Sequence, residues 1–186
     1  MRLKEKDDMI DQAGIMMAQG LGTASERIQG VNDNMSQSHY HEYFEIYYLE
    51  AGERFHMVED QLYHMEQGEF MIFPPYVMHH SYGEKNVPFK RLVLYFTPEE
   101  VLWPSILTEL KEEIGVYQVD IRERQEIHRL MEILLKEQNN PGLHHDEFNQ
   151  GIINVLLLLI LRQKHPERAS ENSSRIGEVI RYIHMH

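Results

Sequence analysis

Between residues 38 and 96 the chain falls into short β-rich runs, each closed by a turn. The runs are Glu45 to Glu50, Glu53 to Val58, Gln61 to Met65, Glu69 to Phe73, His79 to Tyr82 and Lys90 to Phe96. The breaks "EAGE", "VEDQ", "EQGE", "FPPY" and "GEKNVP" each carry Gly, Pro or Asp, the residues that turn a chain. Spacing this close predicts antiparallel neighbours, because a parallel pair needs a crossover of about a dozen residues or more. A small barrel or double-sheet jelly roll follows.

After Pro98 helical periodicity replaces alternation. Ile127, Leu130, Met131, Leu134 and Leu135 form one apolar stripe on an otherwise charged helix. "NNPGLHHD" breaks the chain, and Asp146 and Glu147 suit the N-terminal end of a second helix. That helix, through Ile152 to Leu161, is apolar all round and needs cover on more than one side. The barrel and the first helix supply one cover; a second subunit would supply another. "HPERASENSS" reads as a polar linker. Beyond it, Ile176, Val179, Ile180 and Ile183 form a further helical stripe, with Ser173 or Ser174 placed to cap it. The pattern divides the chain into an arm or short helix over residues 1–30 and a barrel over 31–98. A helical segment over 99–165 and a linker with one more helix over 166–186 follow.

Composition narrows the function. With 30 acidic and 18 basic residues the formal charge is -12, so most of this surface repels nucleic acid. The absence of cysteine excludes disulfides, thiolate metal sites and cysteine nucleophiles, and fits a reducing compartment. Asp7, Asp8 and Asp11 interrupt the N-terminal apolar residues, unlike a secretion signal. The greasiest run, from Ile152 to Leu161, gives about 15 Å of helix against a bilayer core of about 30 Å. A cytoplasmic protein without a membrane span is the expectation.

Chemistry concentrates in "SHYHEYFEIYYLEAG". Residues two apart on a strand share a face, so His39 and His41 present neighbouring imidazoles. A straight strand would carry Glu45 about 13 Å from His41, so one shared site requires a turn across residues 42–44. His56, His64, His144 and His145 read as ordinary polar surface residues. The aromatic residues of the strands either fill the core or line a small-molecule pocket. Tyr47, Phe55, Phe73 and Tyr82 are the candidates for the pocket, and Tyr47 should share the face of Glu45.

His39, His41, Glu45 and Gly52 match the first cupin signature, and Gly68, Pro74 and His79 match the second. Tyr76 stands where the second signature has glycine and Gly83 where it has asparagine; Asp33 stands where the first opens with glycine. The resemblance implies a cupin-like jelly-roll barrel followed by an antiparallel helix pair, mainly β with C-terminal helices. It also implies His39, His41, Glu45 and His79 as ligands of a divalent transition metal: Zn, Mn, Fe, Ni or Cu. In other cupin-like sensors such residues only hydrogen-bond within the barrel. A barrel, an apolar helix pair, a polar linker and "IGEVIRYIHMH" in this order resemble the sensor half of an AraC-type transcriptional regulator. That resemblance implies a small-molecule effector, for instance a sugar, and a homodimer through residues 124–165. It implies that DNA is bound only by a further C-terminal domain, of which residues 166–186 would be the start. The rival is a free-standing metal-dependent cupin enzyme: a dioxygenase, isomerase or decarboxylase. A storage cupin without ligand chemistry is a third reading.

Overall fold

The computed structural model describes residues 11–31, 35, 37–112, 114–117 and 119–162. Helix α1 spans Gln12–Ala18, followed by strands β1 (Thr23–Val31), β2 (Phe44–Ala51), β3 (Glu53–Val58), β4 (Gln61–Glu66), β5 (Phe70–Phe73), β6 (His79–Tyr82) and β7 (Pro88–Phe96). A 3-10 turn at Pro98–Glu100, helix α2 (Pro104–Glu112) and strand β8 (Gly115–Tyr117) lead to the helix pair α3 (Ile121–Asn139) and α4 (His145–Leu161). The strands make two sheets with antiparallel pairing throughout, ordered β1-β7-β2-β5-β8 and β4-β3-β6. This is the expected β-barrel with helices C-terminal to it. The linker and the stripe from Ile176 to Ile183 lie outside the described residues.

Strand periodicity sorts the core into two layers. On the five-stranded sheet Phe44, Ile46, Tyr48, Phe70, Ile72, Leu92, Leu94 and Phe96 face the helices. They pack there against Leu110, Ile127, Met131, Leu134, Ile153, Leu156, Leu157 and Ile160. The alternate residues Tyr47, Leu49, Met71, Phe73, Phe89, Val93 and Tyr95 face into the barrel, with Val58, Tyr63 and Met65 opposite. Helix α1 adds Ala13 and Met17 to this interior layer. Among the described residues no helix is long and apolar enough to cross a membrane.

All six expected strands are present, with ends shifted by at most two residues. Residues 12–31 go beyond the expected arm or short helix. Gln12–Ala18 is a helix, and Thr23–Val31 is a barrel strand paired along its whole length with β7, from Thr23 opposite Phe96 to Val31 opposite Pro88. The reason for the surprise is chemical. The outer face of β1 carries Ser25 and Arg27, and α3 covers them with polar partners instead of apolar ones. The side-chain amide of Gln138 accepts from Ser25 N at 2.7 Å and donates to Ser25 O at 2.9 Å. An edge strand's backbone is thereby satisfied from a helix.

One glycine of the cupin match has a clear structural reason. Gly52 has φ of +84°, and a Cβ there would meet Pro88 O at 2.4 Å. No other residue fits the turn between β2 and β3 without backbone movement.

An ionic latch ties the barrel to the helix pair. Glu50 of β2 accepts from Arg27 Nε and Nη2, both at 2.8 Å, and lies 2.7 Å from His128 Nε2 of α3. Arg27 also donates to Glu132 of α3. Glu50, His128 and Glu132 are spaced as metal ligands can be, but Arg27 already supplies the positive charge between the carboxylates. Burial opposes ionisation of Glu50, yet Arg27 and His128 outweigh it and lower its pKa to about 2. A carboxyl depressed from 4.5 stabilises the fold fully above that value and loses its contribution as pH falls toward 2. Glu50→Gln should therefore cost about 2 kcal/mol at neutral pH and flatten the decline of melting temperature between pH 5 and 3. Parallel declines in both proteins would show that the latch does not set the acid limb.

Candidate functional site

The chain bends at Glu42 and Tyr43, between His41 and the start of β2. That bend is the turn required to bring Glu45 back to the histidines. His39 pairs with His79 through two backbone hydrogen bonds of 2.9 Å each, N–H to O in both directions. Their rings lie 4.6 Å apart, and the ring of His41 lies 5.1 Å from His79 and 6.1 Å from His39. Each of the three imidazoles offers a nitrogen within 4.8 Å of the others. Glu45 Oε2 is 3.1 Å from His41 Nε2 and 3.5 Å from His79 Nε2. All four residues named from the sequence meet at one place.

The outer hydrogen bonds of this cluster set its chemistry. His41 Nδ1 donates to Tyr43 O at 2.7 Å, and His79 Nδ1 donates to Val77 O at 2.8 Å. A carbonyl only accepts, so in the neutral ring both protons sit on Nδ1 and both Nε2 lone pairs point to the centre. His79 Nε2 is buried there without a hydrogen-bond partner. His41 Nε2 and the Glu45 carboxylate are then two acceptors 3.1 Å apart, and such a pair needs a proton or a cation between them. Burial opposes ionisation of Glu45, but its contacts with His41 and His79 outweigh this and hold the carboxyl well below its usual range. Burial and the neighbouring His79 lower His39 to about 4, so its ring is neutral at ordinary pH. Imidazoles whose Nδ1–H groups are held by carbonyls, beside an ionised carboxylate, are a donor set that fits a divalent first-row ion.

Tyr76, the residue in place of the signature glycine, keeps the backbone a glycine would take. Its φ is +65°, its N–H donates to His41 O at 2.8 Å, and its side chain is exposed. The turn between β5 and β6 thus holds His41 in place at a cost of about 1 kcal/mol of backbone strain.

The aromatic candidates divide. Tyr47 and Phe73 lie inside the barrel, Tyr47 against His56 at 4.5 Å and Phe73 stacked on His79 at 4.4 Å. Phe55 and Tyr82 do not face this interior. They stack on each other at 5.5 Å on the outer face of the three-stranded sheet, with Met57 and Leu62. The parity of β3 and β6 explains this, since His56 and Ser81, the paired inward residues, sit next to them in sequence. His56 is correspondingly no surface residue: it is 1 % exposed, and burial holds its pKa well below the usual range. His64 and His144 are exposed as expected, whereas His145 is partly covered and bonds Glu137 at 3.0 Å. Arg91 was not a sequence candidate, yet it too is buried and faces inward, over the ring of Tyr47 at 5.2 Å. Its only sequence signal is position: it shares the strand parity of Phe89, Val93 and Tyr95.

A cavity of about 600 Å³ opens at the barrel rim, lined among others by Met17, Tyr43, Tyr76, Pro98 and Lys111. It adjoins the histidines through Tyr43, whose ring stacks on His41 at 4.3 Å. Tyr47 and Phe73 do not line it.

The AraC-like ligand binding domain model matches residues 27–174. No curated protein matches the chain in sequence. Among solved structures, the AraC-like transcriptional activator CuxR is similar over 87 % of this chain and 56 % of its own, at 10 % identity and a TM-score of 0.53. This chain therefore spans a little over half the length of that activator. A cupin-like protein from Thermotoga maritima is similar over 42 % of this chain and 60 % of its own, at 14 % identity and a TM-score of 0.38. An oxalate decarboxylase variant from Bacillus subtilis is similar over 43 % of this chain and 22 % of its own, at 16 % identity and a TM-score of 0.37. At 10 % identity the likeness to the activator is one of fold alone. The match over most of the chain makes this protein a member of the AraC-like ligand-binding domain family.

Proposed function

We propose that the protein is the effector-sensing and dimerisation unit of an AraC-type transcriptional regulator. It would bind a small molecule in its barrel, and DNA would be contacted by a separate unit and not by this acidic surface. A cytoplasmic site of action follows from that role. The observation that carries the reading is the family match over residues 27–174. A structural link supports it. Asn154 of α4 donates to Glu100 O at 2.7 Å and accepts from Leu102 N at 2.9 Å, and is itself 2 % exposed. It fastens to α4 the strap that follows β7, whose residues Thr97, Pro98 and Glu99 line the rim cavity. A guest in that cavity acts on α4 through Asn154 to the extent that it prefers one strap position. In the full regulator, Asn154→Leu should reduce the effector response of a reporter about tenfold while calorimetric affinity stays within about twofold. Equal loss of binding and response would assign Asn154 to folding instead.

Dimerisation through residues 124–165 is supported by the outward face of α4, where Phe148 is 43 % and Val155 48 % exposed. Such a face on an otherwise apolar helix suits a second copy. Val155→Glu should convert a dimer to a monomer in sedimentation velocity with unchanged circular dichroism. A variant that still sediments as a dimer would place the interface elsewhere.

We further propose His39, His41, Glu45 and His79 as the residues that hold a divalent transition metal. Bound there, the ion would supply a Lewis-acidic anchor for an oxygen of the guest. Protein purified without a histidine tag should then contain about one such ion per chain, and His41→Ala should lower the content at least tenfold. Undiminished metal in that variant would remove the assignment. The enzyme reading, a dioxygenase, isomerase or decarboxylase, draws on the same four side chains. The family match and the strap to α4 favour sensing over turnover.

A further inference from the structure

The barrel interior holds polar groups that the histidine cluster leaves unused. Arg91 lies opposite Leu49 of β2 and Ile28 of β1, both part of the interior layer, so its side chain shares their face. It is 8 % exposed, and its Nε has no hydrogen-bond partner. The nearest carboxylate, Asp11, stands 3.9 Å from Arg91 Nη2, beyond hydrogen-bond distance. Asp11 is also engaged elsewhere: it caps α1 at Gly14 N and accepts from Tyr95 Oη at 2.6 Å. Next to the guanidinium, Tyr47 is 1 % exposed with its hydroxyl unpartnered. Against Tyr47, edge to face, stands His56, with neither ring nitrogen bonded.

Three adjacent buried side chains with unmet hydrogen bonds need a reason, since each costs about 1–3 kcal/mol when unpaired. A guanidinium cannot escape the cost by losing its proton. What the three have in common identifies the missing partner. Arginine only donates, a tyrosine hydroxyl donates readily, and a neutral imidazole has one N–H to give. The complement is a group rich in acceptors. The edge formed by Arg91 Nε and an Nη presents two parallel N–H groups, the geometry that pairs with a carboxylate. A neutral sugar satisfies hydroxyl and imidazole but offers the guanidinium's parallel N–H pair no matching pair of acceptors; Asp11 and Glu45 supply charge nearby without bonding Nε. The protein's net charge of -12 gives a free anion no general attraction, so selectivity for one rests on this buried cation.

Building on the reading of the barrel as an effector site, we propose that the effector carries a carboxylate, received by Arg91 with Tyr47 and His56 beside it. The carboxylate end of the guest is thus directed at β7, and the remainder extends toward the histidine cluster.

The test uses matched probes on the whole chain labelled with 15N-arginine: acetate, lactate and glucuronate against acetamide, propane-1,2-diol and glucose, with inorganic phosphate as a further arm. The Nε–Hε resonance of Arg91, assigned by its loss in Arg91→Lys, should shift with at least one carboxylate at about 10 mM and stay still with its neutral counterpart. Arg91→Gln should weaken that carboxylate at least tenfold in calorimetry, and Arg91→Lys should recover part of the affinity. The resonance measurement on the unaltered chain decides the matter even if Arg91→Gln fails to fold. A response to phosphate alone, or no response to any carboxylate, overturns the proposal. Neutral probes that bind as tightly as their acids, with Arg91→Gln unaffected, also overturn it while leaving the barrel as a sensor. Arg91-dependent carboxylate binding without any reporter response in the full regulator would instead sink the sensor reading and leave the site standing.

Discussion

The five-stranded sheet is buried on both faces, and the inward placement of Glu45, Tyr47 and Arg91 follows from that constraint. One face belongs to helices α2, α3 and α4 and the other to the barrel interior. A slip of one residue in β2 would send Glu45 and Tyr47 among the leucines of α4 and bring Phe44 and Ile46 to the histidines. Burial of large apolar groups on both sides therefore fixes register more firmly than hydrogen bonding could. β7 is the ruler: it pairs with β1 on one side and β2 on the other, so Glu45 is held opposite Tyr95 and Leu49 opposite Arg91. The irregularity between Leu49 and Ala51, next to Gly52, ends this register where the chain leaves for the smaller sheet.

Within so secure a frame the interior can carry groups that work against folding. Glu45, His56, His79 and Arg91 are all buried, and desolvation alone disfavours the charged form of Glu45, His56 and Arg91. A pure core would replace them with apolar residues and gain stability. Their retention alongside the strained backbone of Tyr76 is the pattern of a binding site embedded in a rigid shell, where consistency between local chemistry and packing is given up locally. The two carbonyls, Tyr43 O and Val77 O, show how the cost is contained. They fix ring orientation from outside the cluster, so the inward nitrogens are preset before any guest arrives.

Legibility in the sequence followed the same physics. The six strands between residues 45 and 96 were readable because turn residues bounded them, and the metal-like cluster because its spacing matched a known pair of signatures. β1 was not, because its helix-facing residues are Ser25 and Arg27; polar partners on α3 removed the apolar period that marks a strand. The face of an aromatic residue was also hidden where no anchor fixed parity. On β2, Glu45 supplied the anchor and Tyr47 followed correctly; on β3, Phe55 looked like a lining residue because His56 was read as surface. A single observation, that His56 pairs with Ser81 in line with the inward His79, reverses both assignments. Arg91 was hidden for a related reason: a lone charge within a strand looks solvated until the partner strands show that its side is covered.

The same layering bears on how occupancy of the interior could be felt outside. The shell is stiff, and strands paired on both sides have little freedom to move with a guest. The strap after β7 is different. It leaves the sheet at Phe96, passes the rim cavity at Thr97 to Glu99, and is held by side chains of α4 instead of a strand ladder, with Gln150 near Glu99 O at 3.5 Å and Asn154 on both Glu100 and Leu102. Two hydrogen bonds to one buried asparagine form a junction with few alternatives: the strap and the helix move together or the bonds break, leaving a buried amide unsatisfied at about 1–3 kcal/mol. That penalty is comparable to the coupling free energies by which one site commonly governs another. The strap junction is therefore the part of the molecule where a modest difference in guest affinity is large enough to reposition a helix.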